Sequence, residues 1–225
     1  MAFIELKHID YQLKIKGHEK SQLFSQLNLS MEKGDLVALV GPNGVGKTTL
    51  TKLMLGFIQP DHGEVLLEGL RVSDYKRSEV GAKIGYLFQN PMLQLFNATV
   101  EEELLFAYAI HDRVDETIRQ RYNAVLKDLD LDHVVNTSVF HLSQGEKQRL
   151  AIGTLLMNQP DFMILDEPTS GLDYVRKEAL KNRLLALHKK GMGMLIVTHD
   201  LGFIEDMPVK VLKMSEGQVA YEVES

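Results

Sequence analysis

The sequence predicts an α/β fold built on a parallel sheet, and three observations carry that prediction. Leu36–Val40 is an unbroken apolar run that leads straight into a glycine-rich turn. Two further apolar runs, Phe162-Met163-Ile164-Leu165 and Met194-Leu195-Ile196-Val197, each follow a helical stretch and end in polar residues. A strand covered on both faces reads as continuous apolar sequence, and strands separated by helices suit parallel pairing. The length of 225 residues fits one domain carrying a sizeable insertion better than two independent domains. With 44% hydrophobic and 25% charged residues, disorder, collagen-like repeats and disulfide scaffolds fit poorly.

In chain order, Phe3-Ile4-Glu5-Leu6 and Ile9-Asp10-Tyr11-Gln12-Leu13 alternate, and with the polar stretch 16–21 they predict hairpin-like strands at a surface. After Leu36–Val40 and its turn, residues 49–55 read as a helix, and Ile84-Gly85-Tyr86-Leu87-Phe88 as another alternating run. Residues 91–159 show helical periodicity without a convincing strand, with candidate helices at 100–110, 114–129 and 145–157. They are expected to form a helical subdomain grafted between core segments at about 1–90 and 160–225.

Charge and composition narrow the partners. Lys+Arg 25 against Asp+Glu 31 gives a net charge of −6, which argues against coating nucleic acid, and no direct nucleic acid binding is expected. The absence of cysteine excludes thiolate zinc sites and cysteine nucleophiles. No leader is visible at the N-terminus, and the longest apolar runs fall far short of the ~20 residues of a membrane span, so any membrane role is expected to be peripheral.

Gly41-Pro42-Asn43-Gly44-Val45-Gly46-Lys47-Thr48 fits G-x-x-x-x-G-K-[ST], between a buried-strand pattern and a helix that starts at about Thr49. Glycines allow successive backbone N–H groups to turn toward phosphate oxygens, and the helix offers its positive end to the same anion. Lys47 is expected to reach the β- and γ-phosphates of ATP, and Thr48 to offer its hydroxyl to Mg²⁺. The loop alone does not choose between a kinase, a GTPase and an ATPase. The late strand ending in Asp166-Glu167 adds a carboxylate for the Mg²⁺ shell and, one residue on, a general base for an attacking water.

Leu142-Ser143-Gln144-Gly145-Glu146, followed by Lys147-Gln148-Arg149-Leu150-Ala151, resembles the LSGGQ signature of ABC ATPases. The order along the chain matches as well: phosphate loop, helical insertion, signature, acidic strand, histidine. The resemblance spans about residues 3–219 and implies a P-loop NTPase fold: a RecA-like core with a parallel sheet, an N-terminal antiparallel β subdomain and the helical insertion. It implies that Ser143, Gln144, Gly145 and Glu146 contact ATP held by a partner subunit. It further implies that Gln89 contacts Mg²⁺ and the region of the attacking water, that Asp173 communicates across a dimer, and that His199 reaches the γ-phosphate. Gln144 and Glu146 depart from the signature; the first is expected to perturb backbone approach, and the second to point its carboxylate away from phosphate. The aromatic that stacks on adenine in the family falls at Leu13 here; Tyr11, two residues earlier on the same strand face, is a candidate substitute, with sheet packing as the favoured alternative for it.

Gln89-Asn90-Pro91-Met92-Leu93-Gln94-Leu95-Phe96 and Thr99-Val100-Glu101-Glu102-Glu103 resemble the post-Q-loop region of energy-coupling-factor and cobalt-type importers. There this segment lines the groove for coupling helices of a transmembrane subunit. Met92 and Leu93 stand where that group commonly has acidic residues, which leaves a more apolar groove. The resemblance implies an ATPase that drives vitamin or metal-ion uptake at the cytoplasmic face of the membrane. One loop and one signature per chain imply a head-to-tail dimer with itself or a related subunit. The alternatives are the ATPase of another ABC transporter class and a soluble ABC ATPase of DNA maintenance or translation, the latter without the coiled-coil insertion or second cassette such proteins need. A small-molecule kinase would leave the signature and His199 unexplained.

Overall fold

The computed structural model describes residues 2–13, 21–215 and 217–221; the polar stretch expected between the first strands lies, apart from Ser21, outside the described residues. The strand β1 (Ile4–Leu13) pairs antiparallel with β2 (Ser21–Met31), Ile4 opposite Met31 and Leu6 opposite Leu29. The two alternating segments of the sequence are one strand. His8 adopts a left-handed φ of 51° and the pairing slips between Leu6 and Ile9 and again around Tyr11, which breaks the alternation without ending the strand.

The chain then enters β3 (Leu36–Val40), and α1 (Lys47–Met54) follows the glycine-rich turn. It returns to the first sheet through β4 (His62–Leu67) and β5 (Leu70–Arg71), giving the strand order β2-β1-β4-β5. After α2 (Arg77–Lys83) comes β6 (Ile84–Leu87), then the helices α3 (Val100–Ala109), α4 (Glu116–Leu129) and α5 (Gln144–Met157). The remainder is β7 (Phe162–Asp166), α6 (Tyr174–Lys189), β8 (Gly193–Thr198), α7 (Leu201–Ile204), β9 (Lys210–Ser215) and β10 (Gln218–Tyr221). The second sheet has the order β10-β9-β3-β8-β7-β6, parallel except for β10.

Every residue of β3, β7 and β8 is buried because both faces of this sheet are covered. Leu36, Ala38 and Val40 pack with Met163, Leu165 and Ile196 under the helices α3 to α6. Val37 and Leu39 pack with Ile164, Leu195 and Val197 against α1 and the antiparallel sheet. The helical segment therefore shares its core with one face of the parallel sheet, each buried Leu or Val contributing about 1.5–3 kcal/mol.

Side-chain caps set the helix starts. Thr99 and Glu102 form a reciprocal capping box at α3, and Asp115 caps α4, so that helix begins at Glu116, two residues later than periodicity suggests.

Candidate active site

The glycine-rich turn joins the carboxyl end of β3 to α1, where an α/β sheet gathers ligands. Gly46 is the N-cap with φ 110°, a conformation that strains any other residue, and a Cβ there would meet the Leu23 side chain at 3.0 Å. No side chain caps α1 and its first turn carries no acidic residue, so its first N–H groups have no acceptor within the helix and suit an anion. The Lys47 ammonium is buried and donates to the carbonyls of Gly41 at 2.8 Å and Pro42 at 3.1 Å, which curls the loop around it. Val45 packs half-buried on the α1 side of the core.

An open cleft of ≈ 350 Å³ lies over this turn. The turn and helix contribute Asn43, Gly44, Gly46, Lys47, Thr48 and Thr49 to its lining. Leu13, Gln89, Asp166, Glu167 and His199 arrive from distant parts of the chain. Leu13 thus lines the cleft, whereas the Tyr11 ring packs on Phe24 at 6.5 Å between centroids.

Asp166 ends β7 and is 5% exposed; its Oδ2 accepts hydrogen bonds from the Thr48 hydroxyl at 3.2 Å and the Tyr86 hydroxyl at 2.9 Å. Burial pushes its carboxyl above the ordinary carboxylate range, and the two hydroxyl donors oppose that shift. Burial raises the Tyr86 phenol too, so Tyr86 stays a donor at neutral pH. Consecutive strand residues should face opposite sides of a sheet, yet Glu167 lines the same cleft as Asp166. A left-handed φ of 50° at Glu167 redirects the chain there, its N–H donating to the Val197 carbonyl at 2.8 Å. Glu167 Oε2 lies 2.9 Å from His199 Nδ1, joining a buried carboxylate to an exposed imidazole.

The signature residues and Asp173 line none of this cleft. Ser143 caps α5: its Oγ accepts from the Glu146 N–H at 3.3 Å, and Glu146 Oε2 accepts from the Ser143 N–H at 2.7 Å. These Ser143 bonds hold the Glu146 carboxyl below its ordinary value, and the carboxylate is turned back onto its own helix end. Gln144 Cγ lies 3.9 Å from where a Cβ on Gly171 would stand, so its side chain lies beside Gly171 in the turn before α6. Asp173 caps α6, accepting from the N–H and the guanidinium of Arg176, both at 2.9 Å.

Several residues with a visible task escaped the sequence reading. Tyr86, the partner of Asp166, is one. Gln94 is another: its Oε1 accepts from the Phe88 N–H at 3.2 Å and its amide donates to the Ala151 carbonyl at 3.0 Å, tying the segment after Gln89 to α5. Glu103, 6% exposed, accepts from the N–H groups of Phe96 at 2.8 Å and Asn97 at 2.7 Å. Both residues lie inside the runs 89–96 and 99–103 that carry the resemblance to the importer group, Gln94 as the second glutamine of the first and Glu103 as the last residue of the second. Pro91 is buried and Leu95 enters the core between these ties, while Leu93 and Phe96 stay 61% and 73% exposed.

A family model described as ABC transporter matches residues 24–170. The energy-coupling factor transporter ATP-binding protein EcfA of Methanocaldococcus jannaschii is 38% identical over 198 residues, which is 87% of this chain and 71% of that protein. Among solved structures, cbiO1 from Clostridium perfringens, part of the ABC transporter complex cbiONQ, matches with a TM-score of 0.87 and 30% identity over 97% of this chain and 87% of that one. An ATP-binding cassette solved as a dimer in a post-hydrolysis state with ADP and Pi matches with a TM-score of 0.82 and 27% identity over 97% of both chains.

Proposed function

The chain belongs to the ABC transporter family of ATP-hydrolysing subunits, and from that premise we propose that it drives an importer of the energy-coupling-factor type, taking up a vitamin or metal ion through a transmembrane partner. The observation that carries the reading is the segment after Gln89: Gln94 and Glu103 pin it at both ends while it holds Leu93 and Phe96 out to solvent. A pinned apolar surface of this kind suits an apolar helix of a membrane protein. No helix among the described residues is long and apolar enough to cross a membrane. On this proposal the chain sits peripherally at the cytoplasmic face.

In this reading ATP lies over the loop, with Lys47 and the first N–H groups of α1 on its phosphates and Leu13 beside the base. The Thr48 hydroxyl, the Gln89 amide oxygen and the Asp166 carboxylate form an all-oxygen donor set that fits Mg²⁺ when phosphates complete its shell. Bound there, Mg²⁺ would supply charge neutralisation at the phosphates. Glu167 takes the proton of the attacking water as its oxygen bonds to the γ-phosphorus and the bond to ADP breaks. His199, hydrogen-bonded to Glu167, orients that carboxylate from the γ-phosphate side. The signature residues 143–146 and Asp173 stand away from their own cleft, so each chain completes the site of a second subunit, itself or a related one, in a head-to-tail dimer.

Affinity purification of the tagged chain from detergent-extracted membranes tests the proposal. Co-purification of a polytopic membrane protein, lost when Leu93 and Phe96 are both replaced by Asp, is the expected result. Recovery of the chain without any membrane partner overturns it.

A further inference from the structure

The chemistry above leaves Tyr86 without a task, although its hydroxyl is the shortest contact made by the carboxylate that ends β7. Tyr86 stands opposite Ile164 in the β6–β7 pairing, and Asp166 lies two residues further along the same face, so the long phenol spans the offset. The direction of the bond follows from its neighbours. Thr51 Oγ1, at 3.5 Å from the Tyr86 oxygen, already gives its proton to the Thr48 carbonyl at 3.0 Å. An ionised Asp166 only accepts, so the Tyr86 proton goes to Asp166. The ring is fixed by edge-to-face contacts with Phe88, centroids 4.9 Å apart at 89°, and with Phe57 at 6.5 Å and 84°. A donor on a ring clamped this way orders its acceptor at little further entropic cost.

We infer that Tyr86 is a positioning residue for the divalent cation: it fixes the Asp166 carboxylate through Oδ2, which leaves Oδ1 for the cation or its water, and it thereby sets metal affinity without touching nucleotide. Both hydrogen bonds to Asp166 end on the same oxygen, Oδ2, one from Thr48 and one from Tyr86. Thr48 gives its proton to Asp166 and keeps its lone pairs for the metal, so Tyr86 is the donor that holds Asp166 whether or not Thr48 moves. The inference rests on reading the cleft as a Mg·ATP site.

Tyr86→Phe tests it, since it deletes the hydroxyl and keeps the ring with its aromatic contacts. Binding of a non-hydrolysable ATP analogue is measured by calorimetry in EDTA and across a Mg²⁺ series, with Mn²⁺ occupancy followed by electron paramagnetic resonance. The expected result is a melting temperature lowered by no more than several degrees and unchanged analogue affinity in EDTA, with the Mg²⁺ and Mn²⁺ half-saturation points raised about tenfold, the usual scale for losing an outer-shell partner of a metal ligand. Metal titrations that superimpose on wild type overturn the inference, and so does an equal loss of analogue affinity with and without metal, which assigns Tyr86 to the fold. If wild type itself binds the analogue with no dependence on metal, the Mg·ATP reading fails and takes the inference with it.

Discussion

The N-termini of α1 and α5 are both expected to meet phosphate, and they are built in opposite ways. At α1 the N-cap is Gly46, no side chain closes the end, and the third helical residue is Thr49. At α5 the N-cap is Ser143, and the third helical residue is Glu146, whose carboxylate accepts the Ser143 N–H. A negative group at such an end is stabilising by about 0.3–1 kcal/mol. The signature helix carries its anion built in; the phosphate-loop helix is incomplete until one arrives. The same physics thus leaves one end open to an anion and the other a self-satisfied cap, and the two departures from LSGGQ, Gln144 and Glu146, are the first and third residues of the closed end.

If binding and chemistry are concentrated at the open end, the largest effects belong there. Glu167→Gln keeps the loop and Lys47 but removes the proton acceptor, so turnover is expected to fall about 10²–10⁴-fold. ATP-driven dimers should persist, which phosphate release and light scattering check together; turnover at the wild-type rate removes Glu167 from its role. Thr49→Glu sharpens the comparison directly by giving α1 the carboxylate that α5 already has. A unit charge near the triphosphate costs on the order of 1–4 kcal/mol at that range and polarity, so ATP affinity is expected to fall at least about fivefold with the fold intact. Unchanged affinity by calorimetry means that the open end is not what receives the phosphates.

What was legible in the sequence follows the same division between local and long-range. The loop is contiguous, and its strand and helix flanks are local patterns, so its residues could be named before any fold was known. The continuous apolar runs marked β3, β7 and β8 because a sheet covered on both faces buries every side chain of its central strands, and the short length with polar ends favours a strand over a helix. The contact of Tyr86 with Asp166 joins residues 80 apart, and no local pattern reports it. Tyr11 and Leu13 should share a face if alternation holds, but the register slips around Tyr11 set one on Phe24 and the other in the cleft. The left-handed turn at Glu167 is equally silent in sequence, since no glycine or asparagine advertises it.

At the closed end the expected effects concern stability more than turnover. Ser143→Ala removes the acceptor for the Glu146 N–H and should cost about 1 kcal/mol, a melting shift of about 2–4 °C for a chain of this size, read by calorimetry. No shift would mean that water closes this end as well as serine does, and the contrast with α1 would lose its physical basis.

The smallest effect is a pH dependence. The Ser143 hydrogen bonds hold the folded Glu146 carboxyl below the 4.5 of its unfolded reference, so the unfolded state binds this proton more readily than the folded one. Stability from this group is therefore fully present above about pH 4.5 and is lost as pH falls through the lower folded value. Glu146→Gln keeps an acceptor for the Ser143 N–H and removes the titration. Its melting temperature should fall less steeply than that of wild type on acidification below pH 4.5, with the two curves parallel above it. Parallel curves throughout would show that the carboxylate gains nothing from the helix end it faces, leaving it free to turn toward a partner's phosphate.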